Sequence, residues 1–238
     1  HSGKGFRSAH SDLVRIILTV CKANNIKRIL HMGALKSDPK GPSHYLRTKG
    51  EAESYLMTYG KRFANITIFK PSVIFGKNDS FILRFSNLLN FVPFVFPLAC
   101  HDSKFAPIFV DELSDFVVKS INESKSFNKQ YNLCGPKIYS LKEILEIVIK
   151  EKNRNIKVIP LSKTMSKIQA SIMEFVPGKP FSIDNFKLPY PFSAKDSADL
   201  GNRSIKRESF HFTPFCVPFP DPAFFLLRSE EHTSELQP

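Results

Sequence analysis

The chain has 238 residues and a mass of 27.1 kDa, enough for one large domain or a medium domain with a small second lobe. Its 42% hydrophobic and 24% charged residues exclude a disordered tail, and 10 glycines and 17 prolines without a repeat exclude a collagen-like or low-complexity chain. The net charge of +12 is spread among asparagine and isoleucine with no run of five basic residues, which argues against a nucleic-acid partner.

Four cysteines, Cys21, Cys100, Cys134 and Cys216, show no C-x-x-C spacing. That disfavours a zinc site and reads as free thiols in a reducing compartment. The longest uncharged run, Phe85 to His101, contains Pro93 and Pro97 and falls short of the roughly 20 apolar residues of a membrane span. It is expected to be an apolar surface that touches a membrane or a partner.

In chain order, Leu13, Ile16, Ile17, Val20 and Cys21 follow helical spacing and predict a helix over 11–23, with Ser11 as N-cap and Asn24-Asn25 as its end. Ile26 to Met32 reads as a strand buried on both faces. A polar loop leads to a helix from about Ser43 to Tyr59, then a strand over Asn65 to Val73 and a turn at 76–79. Helix, strand, helix, strand implies parallel strands with helical crossovers. Pro107 to Val110 reads as a strand and Asp111 to Ser120 as a helix capped by Asp111. Gln130 to Cys134 reads as a strand, and Ser140 with Glu143 as a capping box opening the next helix. Ile156 to Pro160 reads as a last strand. Beyond about residue 160 the pattern weakens.

Tyr45 and Lys49 form Y-x-x-x-K. On a helix both project from one face, one turn apart. A nearby ammonium favours the phenolate, so the pair suits proton transfer at a carbonyl or hydroxyl carbon, and the lysine can also hold a ribose. The pair follows a strand ending at Met32, and the next strand ends in Lys70-Pro71-Ser72-Val73-Ile74-Phe75-Gly76. In open parallel sheets ligands bind outside the carboxyl ends of strands.

The ordered series is more specific than any one motif. It comprises Ile26 to Leu35, Tyr45-Leu46-Arg47-Thr48-Lys49 with Glu51-Ala52-Glu53, Phe69 to Gly76, Asp79-Ser80-Phe81, Phe105 to Leu113 and Tyr131 to Pro136. With it, residues 5–190 resemble the extended and atypical short-chain dehydrogenase/reductases. Within these they are most similar to the group related to the NADPH-binding accessory subunit of respiratory complex I.

The resemblance implies an α/β Rossmann-type, doubly wound parallel sheet that binds NADP or NAD. Tyr45 and Lys49 would hold the nicotinamide ribose and carry any catalysis. Gly33, Pro71, Ser72 and Val73 would line the nicotinamide pocket. The first strands and their Gly-rich phosphate turn would lie upstream of residue 1. Gly3 to Ser8 is only a superficial match and reads as a loop.

Active members of this family carry Ser or Thr where this chain has Gly33; Ser37 or Ser72 would have to replace that hydroxyl. His31 reads as a packed core histidine and Asp79 as closing a turn. The expected organisation is a partial NAD(P)-binding domain over 1–160 and a small C-terminal lobe over 161–227. Residues 228–238 resemble a translated sequencing adapter and are set aside. The resulting expectation is an accessory or assembly subunit of complex I type with weak or no catalysis. The alternative is an active NAD(P)-dependent reductase, epimerase or dehydratase using Tyr45 and Lys49. Expected partners are a dinucleotide and either complex I subunits or a membrane periphery, in the cytoplasm or the mitochondrial matrix.

Overall fold

The computed structural model describes residues 2–162 other than 78, together with 164–166 and 168–169. The chain opens with helix α1 (Ser2–Arg7), passes through a π-helical turn (Ser8–Asp12) and continues as α2 (Leu13–Ala23). Gly3 to Arg7 is therefore helical, not a loop. Ser11 is not an N-cap: its hydroxyl donates to the Thr48 carbonyl and to Glu51 Oε2, 3.1 and 3.0 Å away. Asn25, at φ 55°, turns the chain out of α2.

The face of α2 expected to be buried points outward. Leu13 is 48%, Ile16 61% and Val20 54% exposed, while Val14 and Leu18 are buried. The row Ser11, Val14, Leu18, at i, i+3 and i+7, faces the following helix and sheet instead.

Strand β1 (Arg28–Met32) leads to α3 (His44–Tyr59), and β2 (Asn65–Pro71) returns parallel to β1 in the register Arg28↔Asn65. Ser43 caps α3, its hydroxyl accepting from the Leu46 amide at 3.1 Å. Next come β3 (Ile74–Phe75), α4 (Ser80–Asn90), β4 (Val95–Leu98), β5 (Lys104–Phe105) and β6 (Ile108–Phe109). They are followed by α5 (Val110–Ser120), β7 (Lys129–Leu133), β8 (Tyr139–Ser140), α6 (Leu141–Glu151) and β9 (Lys157–Pro160). The main sheet is parallel, in the order β1-β2-β7.

Side-chain alternation along the central strand β2 fills both faces. Ile66 and Ile68 pack with Val14, Leu18, Ala52 and Leu56 of α2 and α3. Phe69 packs with Leu113 and Phe116 of α5. Helices thus cover both faces of a parallel sheet, which is the doubly wound arrangement. Arg28 fastens one end of this sheet. Its guanidinium donates to the Ser120 carbonyl (2.6 Å), Ser126 Oγ (2.8 Å) and Thr67 Oγ1 (2.9 Å).

A second core gathers Phe85 and Leu89 of α4, Phe96 and Leu98 of β4, and Leu145 and Val148 of α6. Burying each such side chain stabilises the fold by about 1.5–3 kcal/mol. The segments that build it interleave with the main sheet, since β7 lies between them in sequence. Asp79 does not merely close a turn: it caps α4, accepting from the Phe81 and Ile82 amides at 2.9 and 2.6 Å. Asp111 is not the cap of α5; Phe109 occupies that position, and Asp111 lies in the first turn. The capping box at Ser140 and Glu143 is present as expected. Residues 170–238, which include most of the expected C-terminal lobe and the set-aside segment, lie outside the described residues.

Candidate functional site

The carboxyl ends of β1 and β2 bring the expected residues to one edge. Lys49 Nζ donates to the Met32 carbonyl, 3.1 Å away, which pins α3 to the end of β1. Past the strand ends, the Gly33 amide donates to the Phe69 carbonyl (2.7 Å) and the Leu35 amide to that of Pro71 (3.0 Å). On the other side the Ser72 amide donates to the Leu133 carbonyl (2.8 Å), and the Val73 carbonyl accepts from Ile108 (2.9 Å). Gly33, Pro71, Ser72 and Val73 are therefore neighbours along the ends of adjacent strands. Tyr45 stands one turn before Lys49 on α3. Its ring packs edge-on against Phe6 and His10 of the N-terminal helical segment, with centroids 6.1 and 5.5 Å apart.

Glu53 organises the site, and sequence reasoning gave it no role. Its carboxylate accepts from the Ala34 amide (3.2 Å) and the Ser37 hydroxyl (2.5 Å) and pairs with Lys70 Nζ (3.0 Å). The usable signal was its spacing: Tyr45, Lys49 and Glu53 form an i, i+4, i+8 row on one helix face. Gly33 is the other half of this packing. A Cβ at position 33 would stand 2.2 Å from Glu53 Oε1 and 2.9 Å from its Cδ. The carboxylate thus fills the space where a side chain at 33 would begin. The two substitute hydroxyls are also engaged: Ser37 donates to Glu53, and Ser72 Oγ accepts from the Ala106 amide at 3.4 Å.

The electrostatics differ from the sequence expectation. Burial first, and then the negative charge of Glu53, raise the Tyr45 phenol above its ordinary range; lysine does not pull it down. Burial lowers the Lys49 ammonium, with Glu53 opposing. His31 lies on β1 with its Nε2 buried and without a hydrogen-bond partner. Burial, then the charges of Lys49 and His10, lower its pKa to about 4. His10 Nδ1 lies 2.9 Å from Thr48 Oγ1, so the helical segment before β1 also reaches this edge.

At the nicotinamide half of the expected site, the Tyr45 phenol and the Lys49 ammonium lie near the end of β1, where open parallel sheets bind ligands, and the unpartnered His31 nitrogen is buried. The phosphate half has no counterpart among the described residues: Gly3 and Gly5 sit within α1, not in a turn between a strand and a helix. Cys21, Cys100 and Cys134 are free, and burial pushes Cys134 up to about 12; Cys216 lies outside the described residues.

A parallel sheet covered by helices on both faces, with a tyrosine–lysine pair at its carboxyl edge, defines a Rossmann-type α/β protein. Solved structures share that fold. The dTDP-glucose 4,6-dehydratase of Bacillus anthracis, solved with NAD, aligns at TM-score 0.61 and 12% identity over 93% of this chain and 67% of its own. The UDP-glucose 4-epimerase of Thermus thermophilus, also with NAD, aligns at 0.52 and 15% over 74% and 68%.

In sequence the chain is homologous to subunits of mitochondrial complex I. It is 25% identical to the NADH dehydrogenase (ubiquinone) 1 alpha subcomplex subunit 9 of Arabidopsis thaliana, over 78% of this chain and 45% of the relative. It is also 25% identical to the subunit of that name in Dictyostelium discoideum, over 53% and 35%. The chain thus spans less than half the length of these curated relatives. No protein-family model matches it.

Proposed function

We propose that this chain is part of an NAD(P)-binding accessory or assembly subunit of respiratory complex I, on the mitochondrial matrix side, with little or no turnover of its own. The observation that carries the catalytic part is Gly33 packed under Glu53. The position where an active relative would place a hydroxyl is closed by a carboxylate held on three partners. Stabilising an oxyanion needs a donor aimed at the reacting oxygen, and a carboxylate there opposes negative charge. The sequence relatives, themselves named as complex I subunits, support the partner. Tyr45, Lys49 and the 71–73 segment are the residues proposed to hold the nicotinamide end. A bound nicotinamide supplies hydride chemistry; these residues hold it by hydrogen bonds and shape.

Tyr45 and Lys49 favour a second reading, an active reductase, epimerase or dehydratase. Against it stand the raised phenol and the Lys49 ammonium turned to the Met32 carbonyl.

Turnover of NADH and NADPH with the intact protein separates the two. Tyr45→Phe is expected to leave the basal rate unchanged. Gly33→Ser is expected not to raise it, and to cost about 1–3 kcal/mol of stability by crowding Glu53. A loss of orders of magnitude in Tyr45→Phe would establish the active reading.

A further inference from the structure

Away from the strand ends, the second core carries an apolar face that the proposed dinucleotide site does not use. Phe91 is 85% and Phe94 74% exposed. They flank a tight turn at the end of α4, held by the Phe91 amide on the Leu88 carbonyl (3.2 Å) and the Val92 amide on that of Leu89 (3.3 Å). Two ordered phenylalanines this exposed in one turn form a patch, unlike scattered single apolar residues. The patch continues across the sheet. β4 and β9 pair in the register Val95↔Lys157 and Pro97↔Ile159. Alternation turns Phe96 and Leu98 into the core and leaves Val95 (44% exposed) and Ile159 (42%) outside.

Residues 85–101 carry no Asp, Glu, Lys or Arg, and the segment from Lys152 to Lys157 holds three cations and no acid. Two of those cations are tied to the patch. Arg154 donates to the Val92 carbonyl at 3.4 Å, and the Lys157 amide donates to the Phe94 carbonyl at 2.8 Å, which fixes the base of its exposed side chain beside the rings. No helix among the described residues is long and apolar enough to cross a membrane.

We propose that the face formed by Phe91, Phe94, Val95 and Ile159, with Arg154 and Lys157 at its rim, docks on an anionic lipid surface. The rings enter the boundary between headgroups and acyl chains, and the two cations meet the lipid phosphates. Each cation near such a surface adds attraction that salt screens, so apolar and electrostatic parts are separable.

The test is flotation of the intact protein with phosphatidylcholine vesicles, with and without about 30% phosphatidylserine, at low and high salt. The wild type is expected to float with the anionic vesicles at low salt and to be released at high salt. Phe91→Ser/Phe94→Ser is expected to weaken binding at least about tenfold. Arg154→Glu/Lys157→Glu is expected to abolish the preference for phosphatidylserine. All four side chains are exposed, so thermal melting should be unchanged; if the phenylalanine variant fails to fold, the charge variant decides. Absence of wild-type flotation overturns the proposal, whether or not the protein is captured by another protein. So does undiminished binding by the folded phenylalanine variant, or an intact lipid preference in the charge variant. These outcomes do not depend on dinucleotide binding or turnover.

Discussion

Glu53→Ala is expected to cost about 3–5 kcal/mol of folding stability, the scale on which removing one partner of a buried ion pair acts. Glu53 is 5% and Lys70 16% exposed at the side chain, so solvent cannot replace the lost contact. The substitution also strips the acceptor from the Ala34 amide and the Ser37 hydroxyl. Three donors are then left without the partner they were folded around. The loop after β1 should loosen with them, because Ala34 and Ser37 both hang on this carboxylate. Urea denaturation reads the change as a lower midpoint. Glu53→Met/Lys70→Met should recover much of the loss, since an apolar pair avoids the stranded ammonium. A loss below about 1 kcal/mol in the single variant would show that the network does not hold the site.

His31 gives the second large effect. Its folded pKa of about 4 lies below its ordinary value of 6.5, so the folded state resists the proton that the unfolded state accepts. A depressed folded pKa adds stability that is fully present above the unfolded value. That stability is lost as pH falls through the window between 6.5 and about 4. Across that window the loss is about 3 kcal/mol. Lys49 and His10, the charges that act on the ring, reinforce the penalty, because a protonated His31 would join cations. His31→Phe should flatten this part of the stability–pH curve while other groups continue to titrate. The measurement is the difference between wild type and variant in unfolding free energy at pH 7 and pH 4. A difference that does not change between those two values would remove His31 from the account.

Much of the fold was readable because its signals are local. The alternation of helix, strand, helix and strand before residue 75 gave the parallel sheet. The Ser140–Glu143 pair marked a helix start by side-chain chemistry that needs no tertiary context. The strands β3, β5 and β8 are two residues long, too short for any period to register, whereas the equally short β6 falls inside the strand read over Pro107 to Val110. α4 and β4 were merged into one uncharged run because Phe, Leu and Val dominate both, and only packing separates them. The buried face of α2 was misassigned for a related reason. Apolar residues occur on more than one side of that helix, and the side that is buried carries Ser11, whose bond to α3 joins residues 37 apart and leaves no local signal.

The candidate site divides in the same way. Tyr45 and Lys49 were visible as a spacing, and the strand ends were visible as the place for them. The role of Glu53 was not, because it depends on Lys70, Ser37 and the missing side chain of Gly33 meeting in space. The direction of the Tyr45 shift was hidden too: burial and Glu53 decide it, and neither is a property of the Y-x-x-x-K spacing.

Native electrophoresis of mitochondrial membranes, followed by immunodetection of the intact protein, tests the central proposal most directly. The account predicts that the protein migrates with NADH dehydrogenase activity, in the full complex or an assembly intermediate. Migration only as a free species, with no share in any NADH dehydrogenase band, would contradict it.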